Sequence, residues 1–132
     1  MSDPIHDLYS ISGDIAQLCN QTEVVYFHAK KPVTMVVNVF NASSSCIITA
    51  RLKDSNGNVL VSETINHRVS APDPALPGQT VVINQQKSLA STGVTFLTIS
   101  CECDPTIVAC NMTTLCSGRY TGEVTVLTKD KD

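Results

Sequence analysis

Cys46-Ile-Ile-Thr-Ala-Arg-Leu-Lys53, followed by Asp54-Ser-Asn-Gly-Asn58, is the stretch that decides the fold. Cys46, Ile48, Ala50 and Leu52 share one parity, while Thr49, Arg51 and Lys53 share the other. A period of two marks a half-buried β-strand, because successive side chains point to opposite faces. Asn56-Gly57 is a strong hairpin signal. The chain is therefore expected to return as a second strand over residues 59–69, with Val59, Val61, Ile65 and Val69 on one face.

Strand signals continue on both sides of this hairpin. Upstream, residues 24–28 and 33–40 are rich in Val, Tyr and Phe, and Lys30-Lys31-Pro32 separates them. Residues 41–45 form the next turn. Downstream, Ala71-Pro-Asp-Pro-Ala-Leu-Pro-Gly78 is a proline-rich connection that no inner strand could contain. A strand is expected over 79–85, a turn over 87–93, and a strand over 94–103 with Leu97, Ile99, Cys101 and Cys103 on one face. Residues 118–128 close the domain, with Tyr120, Val124 and Val126 on one face. Short strands punctuated every eight to twelve residues indicate an all-β fold, a two-sheet jelly-roll-like β-sandwich. Before Glu23 the pattern weakens. Ile5, Leu8, Ile11, Ile15 and Leu18 are spaced by three or four, as in a short helix, but Pro4 and Gly13 oppose one. Residues 1–22 read better as an extended N-terminal connector arm, residues 23–128 as the sandwich, and residues 129–132 as a mobile tail.

Composition narrows the function. The 132 residues contain no Trp and carry a formal charge of −3. The core must be aliphatic, and no basic cluster offers a site for nucleic acid. There is no apolar run near eighteen residues, so membrane insertion is not expected. His6, His28 and His67 lack metal-ligand spacing, and no nucleophile-elbow or phosphate-loop motif is present. No catalytic residue, cofactor or metal is assigned. Asn20, Asn41 and Asn111 begin sequons that read as chance matches.

Six cysteines in so short a chain point to an oxidising compartment, yet the N-terminus shows no signal peptide. Three explanations stay open: a trimmed sequence, reduced or metal-bound thiols, or synthesis in a cytoplasm followed by later oxidation. Cys101, Cys103, Cys110 and Cys116 contain one C-x-C and no second knuckle, which favours disulfides over zinc. Parity makes Cys101–Cys116 a plausible bridge, and Cys103–Cys110 could close the intervening loop. Cys46 is either core or the bonding partner of the arm. Cys19 stands where arm meets domain. It could bond within the chain, bond to a neighbouring subunit, or remain a free thiol.

A cysteine-bearing N-terminal connector, an aliphatic jelly roll and the sequence Cys116-Ser-Gly-Arg-Tyr120 before the last strand resemble the endospore appendage (Ena) fibre subunits of spore-forming bacilli. That resemblance implies a structural homopolymer on the spore surface. Its subunits are made without export, and their connectors dock on neighbours through disulfides. It implies Cys19 as the inter-subunit thiol, with its acceptor among Cys46, Cys101, Cys103, Cys110 and Cys116. The better-known members carry an adjacent Cys-Cys pair early in the connector, whereas this arm has Cys19 alone. The competing reading is a monomeric or small-oligomer binding module, an adhesin or phage or virion decoration domain, with all its disulfides within the chain.

Overall fold

A computed structural model describes residues 5–29, 31–67, 69–83 and 85–128. It contains ten strands: β1 (Ile5–Leu18), β2 (Gln21–Phe27), β3 (Val33–Asn41), β4 (Cys46–Lys53), β5 (Val59–Ile65), β6 (Val69–Pro72), β7 (Thr80–Ile83), β8 (Gln85–Val94), β9 (Phe96–Cys103) and β10 (Leu115–Thr128). One sheet has the order β1-β10-β3-β8 and the other β2-β9-β4-β5, while β6 and β7 form a separate hairpin. All pairings are antiparallel. Consecutive strands repeatedly change sheet, as β1 to β2 and β9 to β10 do. This is the two-sheet wrapping of a jelly roll.

The core lies between the two sheets and is aliphatic. Val33, Met35, Val37 and Val39 from β3 meet Ile48, Ala50 and Leu52 from β4 and Leu97 and Ile99 from β9, with Leu89, Val124 and Ile65 filling the flanks. Each set obeys the strand parity of its own sequence. At the hairpin between β4 and β5, Gly57 adopts a φ of 83°, a region that favours glycine. Asp54 Oδ1 accepts from the backbone N–H groups of Asn56 and Asn58, both at 2.9 Å.

Three expectations change. The segment read as a connector arm is, over its described part, an edge strand of the chain's own sandwich. β1 pairs with β10 along its whole length, from Ile5 opposite Thr128 to Leu18 opposite Leu115. Its true period is two, with Ile11, Ile15, Gln17 and Cys19 facing inward and Leu8 and Leu18 exposed. Gly13 and Gln17 occupy inward positions without an apolar side chain, which hid the alternation. Tyr120 compensates at Gly13: the two are register partners, and the Tyr120 ring occupies the space a Cβ on Gly13 would take. The expected turn over 87–93 is the middle of β8, which needs few apolar residues because it is an edge strand anchored by Leu89 and Val94. The expected return strand over 59–69 ends at Ile65, and Val69 belongs to β6. The tail at 129–132 lies outside the described residues.

Candidate functional site: a five-cysteine cluster

Cys19, Cys46, Cys103, Cys110 and Cys116 gather at one end of the sandwich, each placed by a different local device. Cys19 follows β1 at the crossing between sheets. Its N–H donates to the Thr114 carbonyl at 3.0 Å, and Asn20 N–H donates to the Cys101 carbonyl at 2.7 Å. Asn20 makes that crossing in the left-handed region, at φ 68°, which Asn tolerates better than most residues.

Cys46 opens β4 after a turn that a buried Asn41 holds. Its Nδ2 donates to the carbonyls of Cys46 and Ile65, both at 2.9 Å, and its Oδ1 accepts from Ser43 N–H at 2.8 Å. With its amide fully enclosed, Asn41 cannot serve as a glycan acceptor in the folded chain. Ser43 Oγ donates to the Ser117 carbonyl at 3.0 Å and accepts from Ser117 N–H at 2.9 Å. The turn is thereby clamped to β10 beside Cys116.

Cys103 ends β9 in register with Cys46. Asp104 then starts the loop to Cys110. Its Oδ1 accepts from Thr106 N–H and Oγ1 at 2.9 and 2.7 Å, and its Oδ2 lies 2.8 Å from His67 Nε2. The Thr106 hydroxyl and N–H, and then His67, hold the Asp104 carboxyl down at about 2.

Two disulfides join the cluster: Cys46 to Cys116 and Cys103 to Cys110, each with a Cα–Cα separation of 5.6 Å. The sequence placed Cys101 opposite Cys116; the structure does not. Cys101 sits one inward position deeper on β9, and its neighbour across the sandwich is Gln17, whose Oε1 accepts from the thiol at 3.2 Å. Burial first, then the nearby Cys19 and Glu23, push the Cys101 thiol up to about 12. Cys116 is in the other sheet, and the clamped turn brings Cys46 to it instead.

Cys19 carries a free thiol and is 3% exposed. Its Sγ lies 3.3 Å from Cys46 and 3.6 Å from Cys116, and 3.1 Å from Cys103 and 3.5 Å from Cys110. Burial raises its pKa. Four of the five proposed acceptors thus lie within 3.6 Å of the Cys19 sulfur, and Cys101, whose thiol donates to Gln17, is not among them. The Asn41 and Ser43 clamp that assembles the cluster escaped the sequence reading. Its only trace was a polar turn followed by cysteine.

Beside the cluster the surface is apolar. Leu18 and Leu115, opposite each other across β1 and β10, are exposed, as are Val108 and Met112 on the loop before β10.

No family model matches the chain, and no curated protein matches it. Among solved structures, one of Bacillus endospore appendages, described as a novel family of disulfide-linked pili, is similar with a TM-score of 0.65. The match covers 97% of this chain and 93% of that one at 7% identity. The two therefore share a fold over nearly their whole lengths. The VP2 subviral particle of infectious bursal disease virus matches at TM-score 0.42 and 12% identity, covering 92% of this chain and 33% of that one. The capsid of cyanophage Pam1 matches at TM-score 0.39 and 16% identity, over 93% and 86%. Both values are too low to carry an argument. Among the described residues, no helix is long and apolar enough to cross a membrane.

Proposed function

We propose that this chain is a self-assembling structural subunit of a disulfide-stabilised fibre, akin to the endospore appendages and exposed on a spore surface. The N-terminal segment would carry the link between subunits. The observation that supports this most directly is the position of Cys19. It directly follows an edge strand that, among the described residues, pairs with β10 alone, and its sulfur lies within 3.6 Å of four other cysteines. Edge strands are the elements most readily exchanged between copies. If β1 leaves its own β10 and pairs with that of a neighbour, hinging at Asn20, every β1–β10 contact is remade between chains. Cys19 then arrives among the neighbour's cysteines. Oxidation of Cys19 with one of them, in place of an intrachain pair, passes two electrons and two protons to dioxygen or a small disulfide and joins the subunits covalently. The exposed Leu18, Leu115, Val108 and Met112 supply apolar contact at the same end.

The test is negative-stain microscopy of the purified chain together with non-reducing gels. Filaments and a ladder of oligomers that collapses with reductant are expected, and Cys19→Ser should remove the ladder. A single monomer band with and without reductant, and no filaments, would overturn the proposal. One observation favours a monomeric or small-oligomer binding module: both disulfides can close within one chain. Peptide mapping that recovers Cys46–Cys116 and Cys103–Cys110 and nothing joining Cys19 would select that reading.

A further inference from the structure

The geometry points to a second state of the five-cysteine cluster: when its disulfides are reduced, it binds two soft, thiol-seeking metal ions that share Cys19 as a bridging ligand. Cu⁺ is the ion it suits. This goes beyond the fibre reading and does not depend on it.

Cys19 approaches both disulfide bonds from the side. Its sulfur is nearly equidistant from both members of each pair, 3.3 and 3.6 Å from one and 3.1 and 3.5 Å from the other. Displacement at sulfur needs the thiolate in line behind one atom of the bond. Cys19 lies broadside to both, so the arrangement is not that of an exchange relay. It is that of a shared corner. Cys19, Cys46 and Cys116 form one trio, and Cys19, Cys103 and Cys110 a second; within each, the sulfurs lie within 4.8 Å of one another. No histidine or carboxylate joins either trio among the described residues. Reduction by a phosphine, which becomes its oxide while water supplies the oxygen and the two protons, or by a dithiol, which becomes a disulfide, opens each bond and leaves five thiols around two triangular sites.

Thiolate-only donors select soft ions such as Cu⁺ or Zn²⁺. Coordination number decides between them. Zn²⁺ is almost always four-coordinate in structural sites. Each trio offers three sulfurs, and among the described residues no fourth His, Cys, Asp or Glu ligand atom lies within 4.8 Å of all three members of either trio, so neither is completed to a tetrahedron. Cu⁺, a d¹⁰ ion, is content with three thiolates in a plane. A metal–sulfur distance of about 2.3 Å places the corners of such a triangle about 4 Å apart. The Cys19 edges, at 3.1–3.6 Å, must lengthen by about 0.4–0.9 Å to reach that spacing, and the third edge of each triangle, a disulfide bond of about 2 Å, must open by about 2 Å once it is reduced. Each ion displaces the thiol protons it replaces. Metal and disulfide compete for the same sulfurs, so oxidation expels the ions and loading blocks oxidation.

The test titrates the phosphine-reduced chain, without oxygen, against Cu⁺ held by a chromogenic chelator. The chain should withdraw two Cu⁺ and show the luminescence of a solvent-shielded Cu⁺–thiolate unit, and the oxidised chain should take none. Cys19→Ser should cut the stoichiometry to one or fewer and abolish the luminescence. Cys101→Ser, outside the cluster, should match the parent. The double variant Cys103→Ser/Cys110→Ser should bind one ion, so the result survives if Cys19→Ser fails to fold by circular dichroism. The inference is overturned if the reduced chain takes no Cu⁺. It is equally overturned if it competes no better than the same chain in urea, or if folded Cys19→Ser binds like the parent.

Discussion

Deleting the two disulfides one at a time should separate them sharply. A cross-link restricts the unfolded chain by an amount that grows with the logarithm of the loop it closes. Cys46–Cys116 spans a sequence separation of 70 and Cys103–Cys110 a separation of 7. The loop-entropy relation gives about 4.4 kcal/mol for the longer loop and about 2.3 kcal/mol for the shorter at room temperature. Packing widens the gap. Cys46 and Cys116 are fully buried, so their replacement by Ala also leaves a void, whereas Cys103 and Cys110 are half-exposed. Cys46→Ala/Cys116→Ala should therefore lose at least twice the stability that Cys103→Ala/Cys110→Ala loses. For a chain of this size that corresponds to a fall in Tm of roughly 16 °C against roughly 8 °C. The assay is urea unfolding of the unassembled chain by circular dichroism, with thermal scans beside it. Equal losses, or a larger loss from the Cys103–Cys110 variant, would overturn this ranking of the two bridges. They would mean that the long bridge does not restrain the unfolded chain as this connectivity requires.

Two further outcomes follow from single residues. Gly118 packs so closely on β3 that a Cβ there would run into the Phe40 carbonyl oxygen. Gly118→Ala should cost about 1–3 kcal/mol in urea unfolding, as overpacking against backbone does, while Gly57→Ala strains only a turn. The depressed Asp104 carboxyl sets an acid limb: a carboxylate held below its unfolded value stabilises the fold above that value and loses the contribution as pH falls through the folded one. With a folded value of about 2 against an ordinary 3.8, the loss lies between roughly pH 4 and pH 2. Asp104→Asn should flatten the stability profile across that window. A variant whose acid limb matches the parent's would show that His67 and Thr106 do not act through this carboxylate.

The inner strands of the sandwich were legible in the sequence, and the two edges of the β1-β10-β3-β8 sheet were not. β3, β4, β9 and β10 announce themselves because each carries Val, Ile, Leu or Met on one parity and is buried by a neighbour on both sides. β1 and β8 are edges. They fill inward positions with Gly13, Gln17 and Ser91, so an apolar count sees an arm or a turn. The cysteine cluster was half legible. Spacing placed Cys103 near Cys110, which a short loop almost guarantees. Cys46 meeting Cys116 depends on Asn41 and Ser43, a polar clamp between segments some seventy residues apart in the chain, and no local pattern records such a contact.

The two ends of the described chain lie side by side, since Ile5 is opposite Thr128. A tensile load between them would not shear β1 along β10 but open that ladder like a zip, rung by rung, at low force. The opening runs from Ile5 toward Leu18 and arrives beside Cys116. There the load crosses a covalent bridge into Cys46, and the chain between these two residues, with most of the core strands, drops out of the load path. Extensibility would then be set by the first and last strands, while the interior stays folded.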